Sequence, residues 1–394
     1  MKQDHTFRLE DGRTLSYALY GPRDGNPVFF FHGLPSCRLE AAGISSSGLL
    51  DQVGVNLIVP DRPGFGRSTP APGRTILGYT HDVEALSDHL GLSQHLRSKL
   101  ESEESETSNE TKRTGYGIVG GSGGGPYALA CAQVASQSPD RFRNLRRVGV
   151  FAGAPPFVPP VTLSDQLGAA TSAGDIDNKI RNEITSRHEE DTKILQRDWM
   201  IKSKLMFGLA VRFPSLSRAI SSAGINTSSR LYRNRLGQDM FDRYLKAWLR
   251  AMAEKTTAST PSKATTADTR LENEKDPNDT LSDAVLDHEV AAFVSLARET
   301  WAQGADGWVE EAGLLGRAWG FDPCEIRCGL STEGEAGGIP VKVWHGSQDV
   351  NAPLASMRWL VDRIPGAELV VLEDKGHFEL GHALEEMLEW ASTR

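Results

Sequence analysis

The chain has 394 residues, of which 39% are hydrophobic and 24% are charged, and its formal net charge is −9. This balance is typical of a globular protein, leaves room for two domains, and lacks the basic face that a nucleic-acid partner would need. The polar N-terminal residues have no signal-peptide core, and no apolar run approaches the ~18 residues of a membrane span. The four cysteines suit a reducing compartment. We therefore expect a cytoplasmic protein without a membrane span.

Strands and helices alternate in the first part of the chain. Residues 7–9 and 15–19 are predicted to form a hairpin, and strands follow at 26–31 and 55–59. The alternation continues to residue 151, which predicts an α/β fold with a mostly parallel sheet flanked by helices. The Glu-, Ser- and Thr-rich residues 100–114 interrupt this pattern and are predicted to be a disordered insertion.

The most informative stretch is a glycine-rich turn between an apolar strand and an Ala-rich helix. Gly120-x-Ser122-x-Gly124 is the nucleophile-elbow pattern, in which a strained strand-to-helix turn exposes the serine hydroxyl. Glycines flank the serine because a Cβ there would collide with the adjoining strand and helix. A flexible linker is one alternative, but linkers are not bordered by a strand and a buried helix. A GxGxxG dinucleotide motif also overlaps the turn, yet the strand falls inside that motif rather than before it.

An acid and a base follow in the chain order that the elbow requires. Asp349 follows a predicted strand at 340–346 and His377 follows one at 367–372, so both lie on loops at the carboxyl ends of what we expect to be parallel strands. His377 would accept the proton of Ser122 and return it to the leaving group, while Asp349 would orient the imidazole. A turn-capping role for Asp349 and a solvated role for His377 are the alternatives. Chain order and position favour catalysis.

Other histidines fit the role of the base less well. His345 lies inside a predicted strand and His382 inside the following helix, so neither has the loop position of His377.

Two backbone N–H groups are predicted to stabilise the negative charge that develops in acyl transfer. One belongs to Gly123, directly after the nucleophile, and the other to Leu34, in the loop after the strand at 26–31. Gly33 permits close backbone approach, and we interpret His32 as a hydrogen-bonded scaffold residue. Pro35 is a candidate for a cis peptide bond.

Helical spacing replaces the strand pattern in the middle of the chain. The predicted domains are a core in two parts, 1–158 and 339–394, and an inserted, mainly helical lid at 159–338, with a disordered loop at about 254–280. Most of the lid's large apolar side chains are expected to pack in its own core, and a few to line an apolar acyl pocket. They include Trp199, Met200, Met206, Phe207, Phe213, Trp248, Phe293, Trp301, Trp308, Trp319 and Phe321.

Five motifs in order, HGLP, DRPGFGRS, the elbow, HGSQD and GHF, resemble those of the α/β-hydrolase superfamily, and the chain looks closest to its serine hydrolases with a helical lid. The resemblance covers about residues 5–158 and 338–394 and implies that Asp61 and Arg62 are ion-pairing scaffold groups. Epoxide hydrolases and haloalkane dehalogenases, which are similar in fold, carry aspartate where this chain has Ser122. Serine there favours acyl chemistry.

The sequence therefore predicts a serine hydrolase that needs no cofactor or metal and acts on a small to medium apolar ester, thioester or lactone. An acyltransferase or a C–C bond hydrolase with the same residues remains an alternative, as does a ligand receptor with little turnover. Cys324-x-x-x-Cys328 has no second close pair, so a metal site there is not favoured. The pattern does not indicate an oligomeric state.

Overall fold

The computed structural model describes residues 4–92, 115–159, 178–233, 235–258, 283–328 and 338–393. The segment 100–114, predicted to be disordered, lies outside the described residues. Of the second such segment, 254–280, the residues up to Ala258 are helical, which corrects its predicted start, and the rest lies outside the described residues.

One sheet of eight strands forms the centre of the described structure. The strands are β1 (His5–Arg8), β2 (Thr14–Tyr20), β3 (Asn26–Phe31), β4 (Val55–Pro60), β5 (Tyr116–Gly121), β6 (Leu145–Phe151), β7 (Val341–Gly346) and β8 (Glu368–Leu372).

The sheet is mostly parallel, as predicted, and its order is β1-β2-β4-β3-β5-β6-β7-β8. β2 pairs antiparallel with β1 and with β4, and the remaining pairs are parallel. β4 and β5 are buried at every position, which explains why neither sequence alternates regularly between apolar and polar residues.

Helices cover both faces of the sheet. They are α1 (Ala42–Ser46), α2 (Leu49–Gln52), α3 (Tyr79–His89), α4 (Gly125–Gln137), α5 (Asn178–Gln196), α6 (Ile201–Arg212), α7 (Pro214–Arg233), α8 (Arg235–Ala258), α9 (Asp283–Thr300), α10 (Asp306–Leu315), α11 (Leu354–Val361) and α12 (Gly381–Ser392). None of the helices in the described residues is long and apolar enough to cross a membrane.

Two apolar clusters correspond to the two faces. In one, side chains of α3 and α4, such as Leu86 and Ala128, pack with Ile118 of β5. In the other, Met387 and Leu388 of α12 pack with strand residues that point to the opposite side. The core is therefore layered helix, sheet, helix.

Helices α5 to α10 form an insertion between β6 and β7, which we call the helical insertion. β6 and β7 are paired neighbours, with Val150 opposite Val343, so the chain leaves and re-enters the sheet at one place. The insertion starts beyond the carboxyl end of β6, on the side where the elbow lies.

Some of the large apolar residues that were expected to pack inside the insertion are buried, and others are exposed. Trp199, Phe207 and Trp319 are buried. Phe213, which follows the last residue of α6, is 56% exposed, and Phe293 of α9 is 41% exposed.

Candidate active site

The turn around Ser122 has the geometry that its glycines predict. Ser122 follows β5 and opens a short 3-10 turn that leads into α4, and its φ of 47° lies in the left-handed region that side chains disfavour. A Cβ at Gly120 would lie 2.4 Å from the carbonyl oxygen of Gly124, and one at Gly124 would lie 2.1 Å from that of Phe31. The turn is therefore compatible only with glycine at these two positions.

The structure brings Ser122, His377 and Asp349 together. Nε2 of His377 lies 3.1 Å from Oγ of Ser122, and Nδ1 lies 2.7 Å from Oδ2 of Asp349. The other carboxylate oxygen of Asp349 accepts the N–H groups of Asn351 at 2.9 Å and Ala352 at 2.8 Å. When Nδ1–H donates to Asp349, the other nitrogen of a neutral imidazole, Nε2, is free to accept the serine hydroxyl.

The loops after β7 and β8 hold each other in place. The backbone N–H of Gln348 donates to the carbonyl of Lys375 at 2.9 Å, and that of Ser347 donates to Leu372 at 3.0 Å. A Cβ at Gly346 would lie 2.3 Å from the Lys375 carbonyl oxygen, so only glycine allows this approach. The predicted acid, Asp349, and the predicted base, His377, are thus positioned by one pair of joined loops.

His345, the histidine nearest to this group in sequence, has a structural role. It is fully buried in β7, and its Nε2–H donates to the carbonyl of Ala352 at 2.7 Å. Burial lowers the pKa of His345, so its imidazole is neutral. Its hydrogen bond supports the turn that carries Asp349. His382 lies in α12, as predicted.

The two predicted oxyanion donors are neighbours in space. A Cβ on Gly123 would lie 3.2 Å from the backbone nitrogen of Leu34 and 2.7 Å from its Cβ. Among the described residues, the Leu34 N–H has no acceptor. Gly123 is in the first turn before α4, where backbone N–H groups have no intrahelical partner. The Leu34–Pro35 peptide bond is cis, as the sequence suggested.

His32 is a buried part of the scaffold, as predicted. Its Nδ1–H donates to the carbonyl of Gly33 at 2.9 Å, and its Nε2 accepts the backbone N–H of Arg62 at 3.2 Å. Burial, together with the positive charge of Arg62, places the pKa of His32 well below its ordinary value. Both nitrogens are therefore used structurally by a neutral ring.

Asp61 and Arg62 form ion pairs, as the resemblance implied. Asp61 accepts from the guanidinium of Arg38 at 2.8 Å. Arg62 pairs with Glu311 of α10, and both side chains are fully buried. The partner of Arg62 thus comes from the helical insertion.

Sequence reasoning missed three residues next to the site. Glu40 accepts the Gly33 N–H at 2.8 Å, and burial raises the pKa of this carboxyl. Leu315 places Cδ1 3.5 Å from the position that a Cβ on Gly123 would occupy. Glu311 belongs to the buried ion pair. Glu40 follows HGLP without a recognisable pattern, and the other two lie in α10, where the sequence has no motif.

The chain matches a known family along most of its length. The sequence model of the alpha/beta hydrolase family matches residues 28–390. Over 89 residues the chain is 39% identical to a non-heme chloroperoxidase of Streptomyces lividans, which covers 22% of this chain and 31% of that protein. Over 85 residues it is 34% identical to a bifunctional esterase/perhydrolase of Acinetobacter calcoaceticus, covering 21% and 30%. The chain thus spans about a third of the length of these relatives.

Solved structures also resemble this fold. A thermophilic esterase from Thermogutta terrifontis is 18% identical with a TM-score of 0.45, covering 100% of both chains. An alpha/beta hydrolase fold protein from Nakamurella multipartita is 16% identical with a TM-score of 0.46, covering 99% of each. At this level of similarity, neither alignment bears on the reaction.

Proposed function

Since the chain belongs to the alpha/beta hydrolase family, we propose that it is a serine hydrolase that cleaves a small to medium apolar ester, thioester or lactone. The observation that carries this proposal is the position of the His377 imidazole, within hydrogen-bond distance of both Ser122 and Asp349. A hydroxyl next to a neutral imidazole that a carboxylate orients is the arrangement of an activated nucleophile.

The first half-reaction forms an acyl-enzyme. Oγ of Ser122 attacks the carbonyl carbon of the substrate while its proton moves to Nε2 of His377. The N–H groups of Leu34 and Gly123 donate to the oxygen that becomes negative, and the N-terminus of α4 adds a favourable dipole. When the C–O or C–S bond breaks, the imidazolium gives its proton to the leaving group. Asp349 stays ionised and stabilises the imidazolium.

The second half-reaction reverses these proton transfers. A water molecule gives a proton to Nε2 of His377 and attacks the acyl carbon, so that the bond to Ser122 breaks. The proton then returns to the serine oxygen, and the carboxylic acid leaves. In both half-reactions His377 carries the proton between the nucleophile and the leaving group, and water is the second substrate.

The surroundings of the site support an apolar substrate. Cδ1 of Leu315 lies 3.5 Å from the position that a Cβ on Gly123 would occupy, next to the proposed nucleophile. Phe378 packs its ring on His377 with a centroid distance of 4.9 Å and is 67% exposed, and Val350, next to Asp349, is 56% exposed. Large apolar side chains that face solvent beside a nucleophile suit an apolar acyl or alcohol group.

The helical insertion is proposed to act as a lid over this site. The position of Leu315, the last residue of α10, beside the nucleophile supports this role. The predicted lid boundaries, 159 and 338, fit the connection between β6 and β7.

The test is turnover of p-nitrophenyl esters of increasing acyl length by the wild-type protein and by Ser122→Ala and His377→Ala. Each substitution is expected to lower kcat by at least roughly 10⁴-fold. Ser392→Ala, at the last residue of α12 and partly exposed, is the matched control and should keep full activity. A fluorophosphonate should label the wild-type protein once and Ser122→Ala not at all.

Other outcomes distinguish the alternatives. Full turnover by Ser122→Ala would remove the proposal. Labelling of Ser122 without steady turnover would favour a receptor. Faster transfer of the acyl group to an added alcohol or thiol than to water would favour an acyltransferase.

A further inference from the structure

The side chain of Arg62 holds the loop that contains Leu34. Its Nη1 donates to the carbonyl of His32 at 2.5 Å, and its Nη2 donates to the carbonyl of Gly33 at 2.8 Å. One planar guanidinium therefore fixes two successive carbonyls, which is a task that its rigid fork suits. The Gly33 carbonyl also accepts from His32 Nδ1–H, so the orientation of this peptide group is determined twice.

Fixing the Gly33 carbonyl also fixes the Leu34 N–H. Only the Leu34–Pro35 bond is cis among the described residues, so the Gly33–Leu34 peptide is trans. In a planar trans peptide the C=O and the following N–H point in opposite directions. With the carbonyl directed at Arg62, the Leu34 N–H is directed away from it, and the Leu34 nitrogen lies 3.2 Å from the position that a Cβ on Gly123 would occupy.

Arg62 is in turn held by a carboxylate of the helical insertion. Nε of Arg62 lies 2.9 Å from both oxygens of Glu311, and Nη2 lies 2.5 Å from one of them. Arg74 donates to the other oxygen of Glu311 at 2.8 Å and to the hydroxyl of Tyr127 at 2.8 Å. These groups are almost completely buried, so the guanidinium of Arg62 has little freedom to choose other partners.

Helix α10 is placed closely enough to impose this arrangement. A Cβ on Gly307 would lie 2.4 Å from the carbonyl oxygen of Gly64, so the first turn of α10 rests directly on the loop that follows β4. Burial alone would raise the pKa of Glu311, but Arg62 and Arg74 hold it below its ordinary range, and the residue is an anion. A fixed anion on a fixed helix gives Arg62 a defined position.

We propose that Glu311 is a positioning residue for the oxyanion hole, which acts through Arg62 on the peptide that carries the Leu34 N–H. This inference rests on the proposed function, since an oxyanion hole has meaning only for acyl transfer. It gives the helical insertion a part in catalysis beyond covering the site.

The experiment compares Glu311→Gln with Glu310→Gln. Glu310 is the matched control, because it is the adjacent carboxylate on α10, pairs with Arg74 and is not among the hydrogen-bond partners of Arg62. For Glu311→Gln we expect kcat on a p-nitrophenyl ester to fall at least tenfold with little change in KM, up to the roughly 10²–10³-fold that loss of one oxyanion donor costs. Glu310→Gln should stay close to wild type.

A second readout separates positioning from a loss of stability. An alkyl trifluoromethyl ketone adds to the serine and leaves a negative oxygen in the oxyanion hole, so its inhibition constant should rise in Glu311→Gln by about the factor that kcat falls. All assays are run well below the unfolding temperature of each variant. A merely structural role would lower that temperature and leave kcat and the inhibition constant unchanged.

If Glu311→Gln fails to fold, Arg62→Lys is the second variant to test, because it keeps the charge balance of the buried ion pair. A lysine ammonium cannot reproduce the two parallel hydrogen bonds to the carbonyls, so kcat and ketone affinity should again fall together. Wild-type values in either folded variant would overturn the positioning role and leave the proposed function intact. A wild-type protein that turns over no ester would overturn both.

Discussion

The absence of a side chain at Gly123 leaves room for Leu34 beside Ser122, the proposed nucleophile. A Cβ there would lie 2.7 Å from the Cβ of Leu34 and 3.2 Å from its nitrogen. We predict that Gly123→Ala lowers kcat on a p-nitrophenyl ester at least tenfold, towards the roughly 10²–10³-fold of a lost oxyanion donor, because the methyl group displaces the Leu34 N–H. The control is Gly43→Ala, where a Cβ would meet no atom within 4 Å. Equal activity of the two variants would contradict this account.

The carboxyl group of Glu40 forms a hydrogen bond near the site, but burial makes its charged form less favourable. It accepts the Gly33 N–H, but burial raises the pKa of its carboxyl above the ordinary value of 4.5. The folded protein therefore binds this proton more tightly than the unfolded chain, so the residue's contribution to stability decreases as pH rises from about 4.5 through the raised pKa.

We predict that Glu40→Gln, which keeps an acceptor oxygen and removes the charge, is more stable relative to wild type at neutral pH than at pH 4. The free energy of unfolding in urea, measured at both pH values, checks this difference. Glu10→Gln, at an exposed turn, should show no such dependence. If the stability of Glu40→Gln relative to wild type instead decreased with rising pH, the raised pKa assigned to Glu40 would be wrong.

At the scale of single elements, α10 presents two groups to the site from one side. Glu311 and Leu315 are four residues apart, so they lie one above the other on the same helix face. The first orients a loop through Arg62, and the second lies against the nucleophile turn. A shift of α10 would displace Glu311 and Leu315 together.

The Leu315 side chain is expected to limit the acyl group. Truncation in Leu315→Ala leaves space beside Gly123, and we predict that the ratio of kcat/KM for p-nitrophenyl octanoate to that for the butyrate rises roughly tenfold or more. Ile201→Ala on α6, at a side chain that is 75% exposed, provides the control. An unchanged chain-length profile would place Leu315 outside the acyl pocket.

The elements that could be predicted from sequence are those whose signals are local. β3 and β7 are apolar runs within one residue of their predicted bounds, and the Ser122 turn follows from the steric need for glycine. Glu311 and Leu315 escaped prediction because their importance arises from contacts with residues more than 190 positions away. Helical periodicity shows that α10 exists but not which carboxylate it buries.

At the scale of the whole molecule, the helical insertion and the core are joined by polar contacts around the loop after β4. Arg38 and Arg67 of the core both pair with Glu299 of α9, and Gln303 donates to backbone carbonyls of that loop. The buried Arg62–Glu311 pair lies next to these contacts. Such a junction makes the position of the insertion depend on charge.

The pH dependence of stability should reveal this junction. Arg62 and Arg74 outweigh the effect of burial and lower the pKa of Glu311. The unfolded chain therefore binds more protons at this residue than the folded protein, so its stabilisation is complete above the ordinary value of 4.5 and is lost as pH falls through the lowered pKa. Glu311→Gln should thus be about 3–5 kcal/mol less stable than wild type at pH 7, as expected for breaking a buried ion pair.

In urea unfolding followed by tryptophan fluorescence, this difference should stay constant from pH 7 down to about 4.5 and shrink at lower pH, because wild type then loses the same charge by protonation. Glu310→Gln, which removes a partly exposed charge from the same helix, should differ from wild type by less than about 1 kcal/mol throughout. A Glu311→Gln deficit that stays constant to low pH would mean that shape rather than charge joins α10 to the core. The oxyanion loop would then have to take its position from the packing of Gly307 on Gly64 instead.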